Sequence, residues 1–361
     1  MTPIQESIQV HTSANDLTIQ GSHFTAKITN GLLSYYEKEG KVLLDAPMKL
    51  NFYRAPIDND GIVGWSLRWI KDWDKVFLKH FTFFPESVEL EPNTAPGMTE
   101  DLQEPARANA ILTDAPQNNH ICIKVTGKAL PTARYAGFFV TLRYHIYNSG
   151  LICVEYEGEP YGRLPKVLPR IGVCFEMNDS YTDAEWYGRG PEENYCDRKA
   201  HCPVGLYQLP VSEMNFQYDV PQECGTRTDT RFVTLSGESA AFSVIGIDTF
   251  AFSCHDFTLE NLEAARHRNE LEKADRKYLY IDYKMRGLGS HSCGPNPEEC
   301  YELRPHRFRF AFAICGEEDE NTLLQLARID FGIHTEALSN RYTFDTQWKP
   351  AGVIECNVNR D

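Results

Sequence analysis

Arg54, Asp58, Asn59 and Asp60 crowd into the stretch NFYRAPIDNDG, Asn51 to Gly61. An arginine set among carboxylates, with Pro56 and Gly61 stiffening and turning the chain, is the pattern of a rigid turn tied by bidentate ion pairs. The same residues also suit a loop that faces a sugar or a partner from Gly61 onward. Asp-Asn-Asp is a calcium-like run, yet an EF-hand loop needs a distal bidentate Glu and a further acidic position that this stretch lacks.

Further segments share this character. In WYGRGPEENYCDRKAHCPVGLY, Trp186 to Tyr207, a Gly-Pro turn leads into Glu192, Glu193, Asn194, Asp197 and Arg198. Adjacent carboxylates do acid–base work only when they face one bond, and neighbours on a strand point to opposite faces. In YDVPQECGTRTDTRFV, Pro221, Glu223, Gly225 and Arg227 make a similar polar corner. Both corners read as internally bonded or as ligand-facing. In DYKMRGLGSHSCGPNPEECYEL, Gly287, Gly289 and Gly294 permit close backbone approach around His291, Ser292 and Cys293. Cys293 as a nucleophile requires a positioned base and a depressed pKa, and His291 two residues away is the sole hint of one. His267, in ARHRNEL, reads as a satisfied structural histidine rather than a base.

The elements that position these segments are strands. Polar and apolar residues alternate over Leu17 to Ile28, His120 to Thr126, Phe138 to Tyr147, Leu151 to Glu157, Arg170 to Glu176, Arg231 to Leu235, Ala240 to Ile247 and Arg307 to Ile314. KITNGLLSYY and YNSGL carry turn signals between strands. Helical spacing is confined to Leu259 to Ala265 with Thr258 as cap, Asp319 to Arg328, and part of Trp65 to Phe81. There Trp65, Trp69, Trp73 and Val76 recur at a helical interval whose plain meaning is core packing. Glu89 to Pro116, rich in Pro, Asn and Asp, reads as a loop. Short strands without regular helical spacers predict an all-β, antiparallel sandwich and not a parallel α/β sheet.

Composition narrows the partners. With 51 acidic and 36 basic residues the formal charge is −15, which argues against nucleic acid and anionic membrane and fits a neutral ligand such as a sugar. No window approaches the ~20 apolar residues of a spanning helix. The start, MTPIQESIQV, lacks the basic n-region of a secretory signal, and 11 scattered cysteines without a CxxC pair suit a reducing cytoplasm.

Taken together and in order, RAPIDND, GRGPEENYCDR, VPQECGTRTDTR and GLGSHSCGP resemble the C-terminal domain of family-two β-galactosidases, a separate small chain in some bacteria. The likeness spans Leu17 to Ile314. It implies a large two-sheet super-sandwich, galactose mutarotase-like, over residues 1–315, with 316–361 as an extension that packs on the sandwich or on a partner. It implies a gating loop running from Asp60 and Gly61 through Trp65 and Trp69. It also implies a substrate-binding loop at Gly289, His291, Ser292 and Cys293. Arg54, Asp58, Asn59, Glu193, Asn194, Asp197, Arg198, Glu223, Arg227 and His267 fall in its structural motifs. Lactose-operon-type relatives place a tryptophan where this chain has Cys293. A ring buries about 150–250 Å², far beyond a thiol, so the departure argues against a stacking-based site for the leaving-group sugar.

Retaining glycosidases need paired carboxyls about 5 Å apart. In the family these lie on a (β/α)₈ barrel with the magnesium site, and no βα repeat is legible here. The resemblance therefore implies no catalytic residue, metal or cofactor in this chain. It implies a β-galactosidase complex in which a large catalytic chain supplies the acids and the magnesium and shares the β-galactoside substrate. Two rival readings remain: a stand-alone aldose epimerase drawing on His255, His267, His291 and Glu193, and a carbohydrate-binding module using Trp65, Trp69 and Trp73.

Overall fold

The computed structural model describes residues 8–13, 16–61, 69–91, 120–131, 136–238, 240–289 and 296–329. The chain opens with a five-stranded antiparallel meander: β1 (Gln9–Ser13), β2 (Asp16–Gln20), β3 (Phe24–Thr29), β4 (Leu32–Lys38) and β5 (Lys41–Leu44). The run Leu17 to Ile28 is thus two strands rather than one. Asn30-Gly31 closes β3 onto β4 with φ of 49° and 76°, the doubly left-handed turn whose twist matches the strands it joins. Glu39-Gly40 does the same for β4 and β5, at 52° and 76°.

A 12-stranded antiparallel sheet follows. Its strands are β6 (Lys49–Asn51), β7 (Thr82–Glu91), β8 (His120–Leu130), β9 (Gly137–Tyr147), β10 (Ile152–Tyr161), β11 (Arg170–Asn178), β12 (Tyr181–Arg189), β13 (Val204–Pro210), β14 (Arg227–Gly237), β15 (Ala241–His255), β16 (Arg276–Met285) and β17 (Phe308–Cys315). β7 claims Glu89 to Glu91, so these three are strand and not the loop expected of them; residues 92–116 lie outside those described.

β15 forks the sheet. Ser243 to Gly246 pair with β17, whereas Ala251 to His255 pair with β16, which leads on to β11 and β6. The branch folds back over the main path to make the second layer. Phe175 of β11 meets Phe312 of β17 edge-on at 6.2 Å, and Phe52, just after β6, stacks on Phe138 of β9 at 4.8 Å. Burial alternates along the strands that face this interior, as the period-two pattern requires.

Helices are few and short: α1 (Trp69–Lys75), α2 (Leu259–Ala264) and α3 (Glu320–Leu326). Thr258 accepts a hydrogen bond from Asn261 N and caps α2, as expected; Asp319 caps α3 through Thr322 N. In α1, Trp73 is fully buried and donates its indole N–H to Val167 O, while Trp69 is half-buried. Trp69 and Val76, both half-buried, pack against the same core, as the helical spacing predicts, and Trp65 lies outside the described residues. α3 lays Leu323 and Leu326 on Tyr147, Cys153, Phe232 and Ala313, on the outer side of the large sheet. That helix is the described start of the C-terminal extension; residues 330–361 lie outside the description. The described cysteines are all free, and no described helix is long and apolar enough to cross a membrane.

Candidate functional site

The quoted motifs meet in one buried polar network, and Arg286 is its hub. This side chain is fully buried. Its Nη1 donates to Asp60 Oδ1 at 2.9 Å, Nε to Glu302 Oε2 at 2.7 Å, and Nη2 to Glu302 Oε1 at 3.0 Å and Asn296 Oδ1 at 3.1 Å. Its guanidinium also lies 5.2 Å from the centroid of the Trp69 ring, whose indole N–H donates to Asn296 at 2.8 Å. Two carboxylates and an aromatic face around one guanidinium are the conditions under which a buried charge is tolerated.

This hub joins described residues that flank two segments outside the description: Asp60 and Trp69 on either side of 62–68, and Arg286 and Asn296 on either side of 290–295. Asp60 also bonds Ile57 N and pairs with Arg54 at 3.0 Å. Asn59 donates to Leu288 O at 2.9 Å, tying one stem to the other. Asp197 accepts from Gly289 N at 2.8 Å. A side chain at Gly287 would collide with Asp197, its Cβ falling 2.6 Å from Oδ2, so this glycine is required for close approach. Arg54 was expected to make a bidentate pair among clustered acids. It contacts Asp60 through one nitrogen, and Asp58 is exposed.

The other corners form a second tier and are bonded to each other. Glu193 accepts from Gly225 N at 2.8 Å, from the Tyr218 hydroxyl and from Arg198. Asn194 accepts from Thr228 N and Oγ1. Arg227 donates to carbonyls of Met214, Gly225 and Pro191, with Trp186 5.3 Å beneath it. Arg170 stands between Glu223 Oε1 at 3.0 Å and Asp282 Oδ2 at 3.2 Å. Burial, opposed by Arg170 and reinforced by Glu223, pushes Asp282 up to about 7. Burial raises Glu223 as well.

Glu192 and Glu193 were read as strand neighbours. They instead follow Pro191 in an irregular corner, with Glu192 exposed and Glu193 buried. The separation expected of them stands, for a different local reason. His267 was expected to be a satisfied structural histidine. It is exposed, before the 3-10 turn Arg268–Glu270, and its backbone carbonyl accepts from Glu270 N at 3.0 Å. His255 is buried; burial first, then Arg170 and Arg227, lower it to about 3, so it stays neutral and sealed. The N–H of Gly289 is already used by Asp197. Trp65, His291, Ser292 and Cys293 lie outside the described residues.

Sequence reasoning missed the residues at the centre. Arg286, Asp282 and Asn296 sit inside a quoted motif but were overshadowed by its glycines and thiol. Glu302 closes that same motif, and Arg170 stands in ordinary-looking strand text. The available signal was an arginine at the end of a strand pattern, beside a glycine, where a hydrophobe would continue the alternation.

The network holds carboxylates without offering them. Glu223 and Asp282 flank one guanidinium at 2% and 0% exposure, beyond the reach of a sugar. Among the described residues one trio has donor atoms close enough for a cation: Glu192, His201 and Cys202, within 4.8 Å of one another. Burial raises the Cys202 thiol even though Arg227 and Arg189 lie near it, and those guanidiniums oppose a dication. These bonds fix the backbone of the polar corners and of the residues on either side of segments 62–68 and 290–295.

A family model described as the β-galactosidase small chain matches residues 19–314. The chain is 28% identical over 311 residues to a β-galactosidase of Actinobacillus pleuropneumoniae, covering 82% of this chain and 27% of that protein. It is 32% identical over 285 residues to one from Staphylococcus xylosus, covering 79% and 26%. A β-galactosidase of Kluyveromyces lactis is 28% identical over 302 residues, covering 82% and 26%. The chain thus spans about a quarter of the length of these relatives. Among solved structures, galactose 1-epimerase from Lactobacillus acidophilus aligns over 87% of this chain and 100% of its own, at 9% identity and a TM-score of 0.43.

Proposed function

This chain belongs to the β-galactosidase small-chain family, and from that premise we propose that it is the non-catalytic member of a β-galactosidase complex. A barrel-bearing large chain supplies the paired carboxylates and the magnesium. This chain supplies loops that complete the pocket for a terminal β-D-galactoside. The assembly works in the cytoplasm.

One observation carries the reading: the Arg286 network fixes the stems of both loops at the same place. A scaffold that sets buried charge beside these segments, and seals the facing acids Glu223 and Asp282 against Arg170, suits positioning better than cleavage. Holding a substrate in a reactive geometry and excluding water can lower a barrier by several kcal/mol. On this reading the stretch from Gly289 through His291, Ser292 and Cys293 faces the leaving-group sugar. The stretch from Asp60 and Gly61 through Trp65 to Trp69 flanks the entrance.

The test is reconstitution. The purified chain alone leaves a chromogenic β-galactoside intact. Adding it to its cognate large chain raises turnover at least tenfold, with co-elution of both chains. Turnover by the isolated chain, or no gain on mixing, rejects the proposal.

A further inference from the structure

The outer face of the large sheet carries a buried polar chain that the proposed function does not use. Glu155 on β10, His145 on β9 and His120 on β8 stand on neighbouring strands, and all three are buried. His145 Nε2 lies 2.6 Å from Glu155 Oε1, and His145 Nδ1 lies 3.2 Å from His120 Nε2. The two rings are 6° from parallel with centroids 5.3 Å apart, so they meet end to end through their nitrogens.

This chain adjoins the seat of α3. Tyr147 stands opposite His120 in the strand register, and its ring lies 4.7 Å from the imidazole. Cys153 stands opposite His145. Tyr147 and Cys153 belong to the apolar cluster that also holds Leu323 and Leu326 of α3.

Hydrogen-bond chemistry fixes what the chain can hold. A carboxylate only accepts, so His145 Nε2 donates to Glu155. Neutral His145 then accepts at Nδ1 from the N–H at His120 Nε2. One added proton is accommodated. It enters at His120 Nδ1, the hydrogen on His120 Nε2 passes to His145 Nδ1, and the resulting imidazolium rests against Glu155. A second proton is not, because both facing nitrogens would carry hydrogen and two cations would share one carboxylate. Burial, and then His145, lower His120 to about 4.

Among the described residues, the charges around the chain are already paired. Against burial, His145, Arg143 of β9 and Arg309 of β17 keep Glu155 below its usual range. Glu157 of β10 pairs with both arginines, and Glu91 of β7 with Arg143 and Lys124. Burial raises the thiols of Cys122, Cys153 and Cys315 and the hydroxyl of Tyr147, so these stay neutral. On α3, Glu320 instead adds to burial in raising Glu185 of β12.

We propose that the Glu155–His145–His120 chain is an acid-sensitive latch for α3, seating the start of the C-terminal extension on the sheet near neutral pH and releasing it when His120 becomes charged. The folded value of His120 lies below its ordinary 6.5, so the seating is fully supported above that pH and is lost as pH falls toward about 4. The test is hydrogen exchange of the full chain, read by mass spectrometry from about pH 7 to about pH 5 and corrected for the intrinsic rate. Amides of α3 should lose protection roughly tenfold or more, while those of α2 keep theirs. His120→Phe keeps a ring against Tyr147 without a titrating nitrogen, and α3 should then stay protected at the lower pH. Glu155→Gln removes the balancing carboxylate and should move the loss to higher pH. Equal protection of α3 at both ends of the range overturns the proposal, as does a parallel loss in α2 or an undiminished loss in His120→Phe. If His120→Phe does not fold, Glu155→Gln decides alone, and an unmoved midpoint overturns the latch.

Discussion

Two interiors hold this molecule together, and they are built on opposite terms. Between the sheet layers, Phe175, Phe312, Phe242 and Ile281 fill space without direction. Around Arg286, itself fully buried, stand the buried Asp60, the half-buried Glu302 and Trp69 ring face, and the exposed Asn296, and each contact has one geometry. An apolar core needs hydrophobic residues of about the right volume and tolerates exchange. A buried ionic hub tolerates none of its members leaving, because the remaining charges are left in low dielectric. Apolar burial drives this fold; the hub fixes which loops leave it, and where.

The sharpest way to break that contrast is Arg286→Met, which keeps much of the volume and removes the charge. Asp60 and Glu302 would then be buried without their shared cation. A loss of about 3–5 kcal/mol in denaturant-measured stability is expected, and Arg286→Lys should not restore it, since an ammonium cannot serve both carboxylates in the same plane. A loss no larger than that of an ordinary core trimming would show the hub to be replaceable.

A subtler distinction comes from Arg170, one cation facing Glu223 and Asp282. Asp282 is raised in the folded chain, to about 7, so the folded state binds a proton that the unfolded state has already released. That contribution is fully present at acidic pH, near the ordinary range of an aspartate, and is lost as pH rises through about 7. Thermal unfolding followed across this window should show the decline, and Asp282→Asn should flatten it. An unchanged slope in that variant assigns the proton elsewhere. The mildest effect belongs to the apolar interior: Ile281→Val, at a fully buried position of β16, should cost only about 0.5–1.5 kcal/mol. A much larger cost would mean that the layers fit as exactingly as the hub does.

The same contrast explains what could be read from the sequence. Period-two alternation marked the strands because burial on one face imposes it, and Asn30-Gly31 marked a hairpin because few residues accept its dihedrals. That the strands make a sandwich was legible; which strands share a layer was not, since the fork in β15 depends on pairings between distant segments. The polar corners were identified as internally bonded. That they bond to one another was invisible, because Glu193 and Gly225, or Asp60 and Arg286, meet only after the sheets close. Arg170 and Glu302 carried no local signature, and Arg286 offered only its place at a strand end beside Gly287; a buried arginine looks in sequence much like an exposed one. His267 misled for the converse reason, standing in a charged run that stays in water.

The single fastening of two loops has a consequence for anyone who would rebuild them. A replacement that shifts Asp60 moves Arg286, and with it Asn296 and Glu302 on the opposite stem. Grafting a relative's residues in place of 62–68 therefore disturbs the anchoring of 290–295, and the reverse. Chimaeras that exchange the two segments as a unit, with their anchoring acids and asparagines, keep that junction seated.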